Sequence, residues 1–130
     1  MGTFTVSIEF GDPDGERWES VEALVDTGAS FTWLPRDLLE RLGVRPELRR
    51  QFETADGRVV ERGMGWTMSR WDGETVPTLV VFGDEGSSAL LGAYTLEGFL
   101  LAPDPVNQRL IRVRGLAMAF RPASAAHSEA

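Results

Sequence analysis

An aspartate that closes an apolar strand and is followed at once by a hydroxyl residue and a glycine is the arrangement in this chain best suited to chemistry. Ala23-Leu24-Val25 leads straight into Asp26-Thr27-Gly28-Ala29-Ser30. Desolvation at the end of a buried strand is one way a carboxyl group becomes an acid or base useful near neutral pH. Glycine lets the backbone turn sharply and lets other groups come close. Asp, Thr and Gly are also ordinary turn residues, and a bare Asp-Thr-Gly arises by chance in roughly 3% of chains this long. The surrounding pattern has to decide between a turn and a site.

The residue types that are scarce narrow the chemistry. Across 130 residues there is no Cys, all thirteen basic residues are Arg, and the single His is His127 in an Ala/Ser-rich tail. Thiolate catalysis, Cys-ligated zinc, a Schiff-base lysine and a phosphate-cradling lysine are excluded. A Ser-His-Asp triad or a multi-His metal site within one subunit is not expected. Carboxylates or hydroxyls must do any catalytic work, with no metal and no cofactor. The acidic pair and glutamate Asp12/Asp14/Glu16 read as a solvated turn, since a calcium loop would need a distal bidentate glutamate.

The elements around Asp26 read mostly as β. Phe4, Val6, Ile8 and Phe10 alternate with polar residues, the two-residue period of a half-buried strand. Turn chemistry at Asp12-Pro13-Asp14-Gly15 leads to a second strand from Trp18 to Val25. After Phe31 to Leu34, Pro35 suits a first helical position, Leu38 and Leu42 are four apart, and Gly43 supplies a stop, so a helix of about two turns is expected. Asp56-Gly57 and Asp72-Gly73 predict hairpins joining strands over 50–55, 58–71 and 74–82. A short buried strand at Ala89-Leu90-Leu91-Gly92, a helical turn over 93–97, and strands over 99–102 and 109–113 complete the pattern. The expectation is an all-β, closed barrel-like fold with one or two short helices, one domain over residues 1–121, and a disordered tail over 122–130.

Taken together, the strand into Asp26-Thr27-Gly28-Ala29-Ser30, the hairpin tip at Asp56-Gly57 and the Leu90-Leu91-Gly92 segment before a helical turn resemble the single-domain, retropepsin-like aspartic proteases, especially their bacterial branch. The resemblance covers roughly Thr3 to Val113. It implies the acid-protease fold, with Asp26 catalytic, Thr27 bonding across a dimer interface, Gly28 admitting substrate, and Ala29 and Ser30 completing the active-site loop. Leu90, Leu91 and Gly92 would support that loop, and Ala55, Asp56, Gly57 and Arg58 would form a flap. Ser30 stands where retroviral relatives carry a second Asp, and Ala93 where they carry Arg. Those two residues normally pair, so they are replaced together here.

One chain carries one copy of the motif, while the chemistry needs one carboxylate to activate water and another, protonated, to polarise the carbonyl. A two-fold homodimer placing Asp26 beside its copy is therefore expected, acting on a peptide or unfolded protein. The same dimeric fold could instead serve as a peptide-binding or assembly module with little activity. A third reading is a monomeric barrel in which Asp26 only caps a turn. Thr3 to Phe10 and Leu116 to Phe120 are apolar enough to build the dimer seam, although 115–120 could equally be a terminal strand over its own core. Trp18, Trp33, Trp66 and Trp71 are candidates for the cleft, Trp66 foremost because it follows the flap. A net charge of −7 disfavours nucleic acid, and no apolar run reaches the length of a membrane span. The protein is expected to be soluble and cytoplasmic.

Overall fold

The computed structural model describes residues 3–123. Most of the expected tail, from residue 124 on and including His127, lies outside the described residues. The chain runs β1 (Thr5–Gly11), β2 (Trp18–Val25), β3 (Thr32–Leu34), α1 (Arg36–Arg41), β4 (Leu48–Glu53), β5 (Val59–Trp71), β6 (Glu74–Phe82), β7 (Ala89–Leu91), α2 (Ala93–Phe99), β8 (Leu101–Asp104) and β9 (Arg109–Arg112).

Alternation sets the barrel wall. β1 buries Val6, Ile8 and Phe10 and leaves Thr5 and Ser7 in solvent. It pairs antiparallel with β2 from Thr5 opposite Leu24 to Gly11 opposite Trp18. β2 lies parallel to β7, β7 antiparallel to β3, and β3 parallel to β6. β6 pairs with β5, which returns to β1 through Glu9, Phe10 and Gly11 and closes the barrel. β4 stands outside the ring as the partner of the first half of β5. The fold is thus the expected closed, mostly β barrel with two short helices.

The core joins the inward faces of these strands to Leu38, Leu39 and Leu42 around α1 and Leu96 and Phe99 of α2. Each fully buried side chain of this size contributes about 1.5–3 kcal/mol. Several boundaries differ from expectation. Pro35 is the residue before α1, not its first turn, because its ψ of 140° is still extended. α2 continues to Phe99 in place of a strand there, because Leu96 and Phe99 are three apart and both buried, and Leu100 ends it in a left-handed conformation at φ 55°. β8 and β9 form a separate two-stranded sheet. Residues 115–120 form no strand: Leu116, Met118 and Phe120 are 83%, 87% and 69% exposed, so this segment does not cover its own core.

The two Asp-Gly hairpins also differ from each other. At Asp72-Gly73 both residues have positive φ, 52° and 78°, and Trp71 pairs with Glu74, the two-residue turn whose twist suits flanking strands. Around Asp56-Gly57 the loop runs from Thr54 to Arg58, closed by the Thr54 N–H donating to the Arg58 carbonyl at 2.8 Å. β4 therefore ends at Glu53, not Ala55. Among the described residues no helix is long and apolar enough to cross a membrane.

Candidate active site

Asp26 sits where β2 ends and the backbone folds back on itself. Its N–H donates to the Leu91 carbonyl at 3.0 Å, one step beyond the parallel pairing of Val25 with Leu91. Its carbonyl accepts from the Ala29 N–H at 3.1 Å, and its Oδ1 accepts from the Gly28 N–H at 3.0 Å. The turn thereby fixes the Asp26 backbone from both sides, and the Gly28 amide holds one carboxylate oxygen. Asp26 remains half-buried, while Thr27, Gly28 and Ser30 are exposed. The loop presents its chemistry outward.

β7 and the start of α2 carry this loop. The Ala93 N–H donates to the Ala29 carbonyl at 2.8 Å and the Tyr94 N–H to the Ser30 carbonyl at 2.9 Å. The first amides of a helix have no partner within it, so the loop satisfies them and is held in return. Gly92 precedes them because a side chain there would overlap the Phe31 carbonyl. Its N–H donates to the Thr32 hydroxyl at 3.0 Å. That hydroxyl lies 2.6 Å from Thr95, which lies 2.8 Å from Thr78, all three buried. Main-chain bonds thus link the segments holding Ser30 and Ala93.

An open cleft of about 750 Å³ lies between this loop and β4, lined by Asp26, Gly28, Ala29 and Ser30 on one side and residues 51–55 on the other. Trp33 and Leu90, paired across β3 and β7, also line it. Phe52 packs edge-on against Trp33, with ring centroids 5.3 Å apart, so β4 turns that face toward the barrel. Glu53, the other acidic residue lining the cleft, belongs by strand alternation to the face of β4 opposite Phe52.

Of the four tip residues expected in the roof, Ala55 lines the cleft, whereas Asp56, Gly57 and Arg58 form the exposed end beyond it. The Thr54 hydroxyl, then the Arg58 N–H and guanidinium, hold the Asp56 carboxyl below the usual carboxylate range. On its other side Asp26 borders a smaller groove of about 330 Å³ lined by Thr3, Phe4, Val25, Thr27, Pro103 and Pro105. A third groove, of about 560 Å³, lies away from Asp26 against Arg70 and Arg112. There Arg70 pairs with Glu9 and Arg112 with Glu74, each at 2.8 Å.

The structure brings together Asp26, Thr27, Gly28, Ala29 and Ser30 with Leu90, Leu91 and Gly92. It assigns the cleft to Trp33, not to Trp66, which is 43% exposed on the outer side of β5. Trp18 stacks under Arg70 at 4.0 Å, and Trp71 packs against the core. The Asp12 carboxylate accepts the Glu16 and Arg17 amides at 2.6 and 2.9 Å, a turn staple. Phe52 and the threonine trio were not among the sequence-based candidates; the two-residue spacing of Thr32 from Leu34, both buried on one face of β3 with half-buried Trp33 between them, was the available signal for Thr32.

The pattern of the aspartyl protease family matches residues 6–95. The fold is similar to a retropepsin-like aspartic protease from Rickettsia conorii, with TM-score 0.52 and 22% identity over 79% of this chain and 88% of that one. It is also similar to a retroviral protease-like domain from Leishmania major, with TM-score 0.50 and 18% identity over 84% and 88% of the two chains. The protease of simian foamy virus (mac) aligns with TM-score 0.49 and 20% identity over 71% and 92%. No curated protein matches.

Proposed function

The chain belongs to the aspartyl protease family with a retropepsin-like fold, and on that premise we propose that it is an endopeptidase acting as a homodimer, its dyad formed by Asp26 from each copy. The observation that carries this is the fixed Asp26 turn, facing a cleft that β4 borders and bearing one carboxylate where the chemistry needs two.

At about 3 Å and an effective dielectric of about 20, two ionised carboxylates repel by about 5 kcal/mol, so the pair keeps one proton. The charged Asp26 takes a proton from water as it attacks the scissile carbonyl. The protonated Asp26 gives its proton to the carbonyl oxygen, producing a tetrahedral diol. Collapse of the diol breaks the C–N bond as the now-protonated carboxyl gives its proton to the leaving amine and the ionised one takes a proton from a diol hydroxyl, which restores the singly protonated dyad. No covalent intermediate forms. Thr27 would bond across the dimer interface and Gly28 would give the substrate backbone room. The substrate would lie extended in the cleft as an added strand. Ala55, Asp56, Gly57 and Arg58 would close over it as the tip of a flap.

The replacement of an Asp–Arg pair by Ser30 and Ala93 favours one second reading, a dimeric module that holds peptides without cutting them. Incubation with an unfolded protein separates the two. The peptidase generates new termini and loses this activity on Asp26→Asn with its fold retained; the module binds and generates none. Undiminished cleavage by the variant, or a monomer in sedimentation at tens of micromolar, refutes the dyad.

A further inference from the structure

β4 carries an unmatched positive charge on the face it turns toward the barrel. Alternation places Arg50 on the same face of β4 as Phe52, whose ring packs against Trp33 in the cleft wall. Across the strand pair Arg50 stands opposite Arg62 of β5, and the Arg62 guanidinium lies 5.8 Å over that same Trp33 ring. Both arginines therefore belong to the Trp33 side of the β4–β5 hairpin. Like charges directly opposite each other on a sheet repel. Arg62 is neutralised, since it is half-buried and meets the Asp84 carboxylate at 2.7 Å. Arg49, on the other face, meets Glu61 at 3.5 Å. Arg50 is exposed and makes no ion pair among the described residues; its guanidinium donates to the Arg49 carbonyl at 2.9 Å.

We propose that Arg50 is a specificity-determining residue, which pairs with an Asp or Glu side chain of a polypeptide bound in the cleft, at a position set apart from the bond being cut. This rests on the reading of the cleft as a peptide site. Three observations favour that partner. Arg50 stands one same-face step, about 6.6–6.8 Å, along β4 from Phe52, so it is at the rim of the cleft and not at its centre. The residues lining the cleft include no cation, and their ionisable members are Asp26 and Glu53. A negative charge on the bound chain is thus repelled near Asp26 and attracted only at the rim, which gives the pairing a fixed place. Finally, in a chain of net charge −7 the planar fork of Arg50 is left without the carboxylate that such a fork accommodates best.

The test uses full-length protein carrying Asp26→Asn, so that peptides bind without being cut. The probes are labelled pools of nonapeptides with Phe fixed at the centre, Glu or Gln fixed at one other position, and random uncharged residues elsewhere. Fluorescence anisotropy should find a position at which the Glu pool binds about three- to fivefold tighter than the Gln pool at low ionic strength, an advantage that shrinks as salt is added. Adding Arg50→Gln should abolish this advantage and Arg50→Glu should reverse it. Arg17→Gln, the same change of charge made beside Asp12, should leave it in place. Equal binding of Glu and Gln pools at every position, an advantage untouched by Arg50→Gln, or one lost equally with Arg17→Gln overturns the assignment. So does conversion of dimer to monomer by Arg50→Gln, which would give Arg50 a carboxylate of a second copy. Binding of no pool removes the peptide site and the assignment with it. An Arg50-dependent advantage in a protein whose native form generates no new termini keeps the assignment and removes the peptidase. New termini with no such advantage do the reverse.

Discussion

The backbone of Gly92 lies directly beneath the carbonyl of Phe31, with no space for even a methyl group between them. This contact seats β7 under the Asp26 loop, since Phe31 follows the loop and Gly92 follows Leu91, whose carbonyl accepts the Asp26 amide. Gly92→Ala must push the two segments apart. Overpacking of this kind costs about 1–3 kcal/mol, and we expect urea denaturation to show a loss in that range or above. Proteolysis should fall well beyond what the unfolded fraction explains, because the displaced segment carries Asp26.

The Thr95 hydroxyl stands between those of Thr32 and Thr78. Thr95→Val keeps the volume but leaves buried partners with one fewer bond, a cost of about 1–3 kcal/mol. A double-mutant cycle of Thr95→Val with Thr32→Val should give a pair less destabilised than the sum of the singles, because both remove the same contact. Strict additivity would show that the trio does not act as a unit.

Asp56 links pH to the hairpin tip. Its carboxyl is held below its ordinary value by the Thr54 hydroxyl and by Arg58, so its stabilising effect is complete above the unfolded pKa of about 3.9 and is lost as pH falls through the lowered folded value. In an NMR titration the Arg58 amide should therefore stay unchanged down to acid pH and then move with the Asp56 carboxyl. Thr54→Val should bring that midpoint back up toward the ordinary one. Movement at neutral pH would contradict the geometry.

Subunit mixing tests the shared dyad. If each active centre needs Asp26 from both copies, an equal mixture of native and Asp26→Asn protein, allowed to exchange, retains about a quarter of the native activity. A centre complete within one chain would retain about half. Specific activity of the native protein should also fall on dilution as dimers dissociate.

Much of the site was legible because its signals are local. The alternation of β1, the strand into Asp26 and the Asp72-Gly73 turn all follow from neighbouring residues. The expected extents of β4 and α2 erred where tertiary contacts overrode local signals: Asp56-Gly57 lies in a longer loop, and burial of Phe99 extends α2. The choice of Trp33 over Trp66 for the cleft was not legible, since both occupy strands and only the arrangement of the barrel decides which faces Asp26.

By itself, the sequence pointed to carboxylates or hydroxyls as the source of any chemistry and singled out an acid at a strand end, because residue types and short-range periodicity are properties of the chain alone. The tertiary structure decided what surrounds that acid. Thr32 meets Thr95 across 63 positions, and β7 slips between β2 and β3. Pairings between such distant segments depend on which buried faces meet as the barrel closes, and no local pattern of residues encodes that meeting.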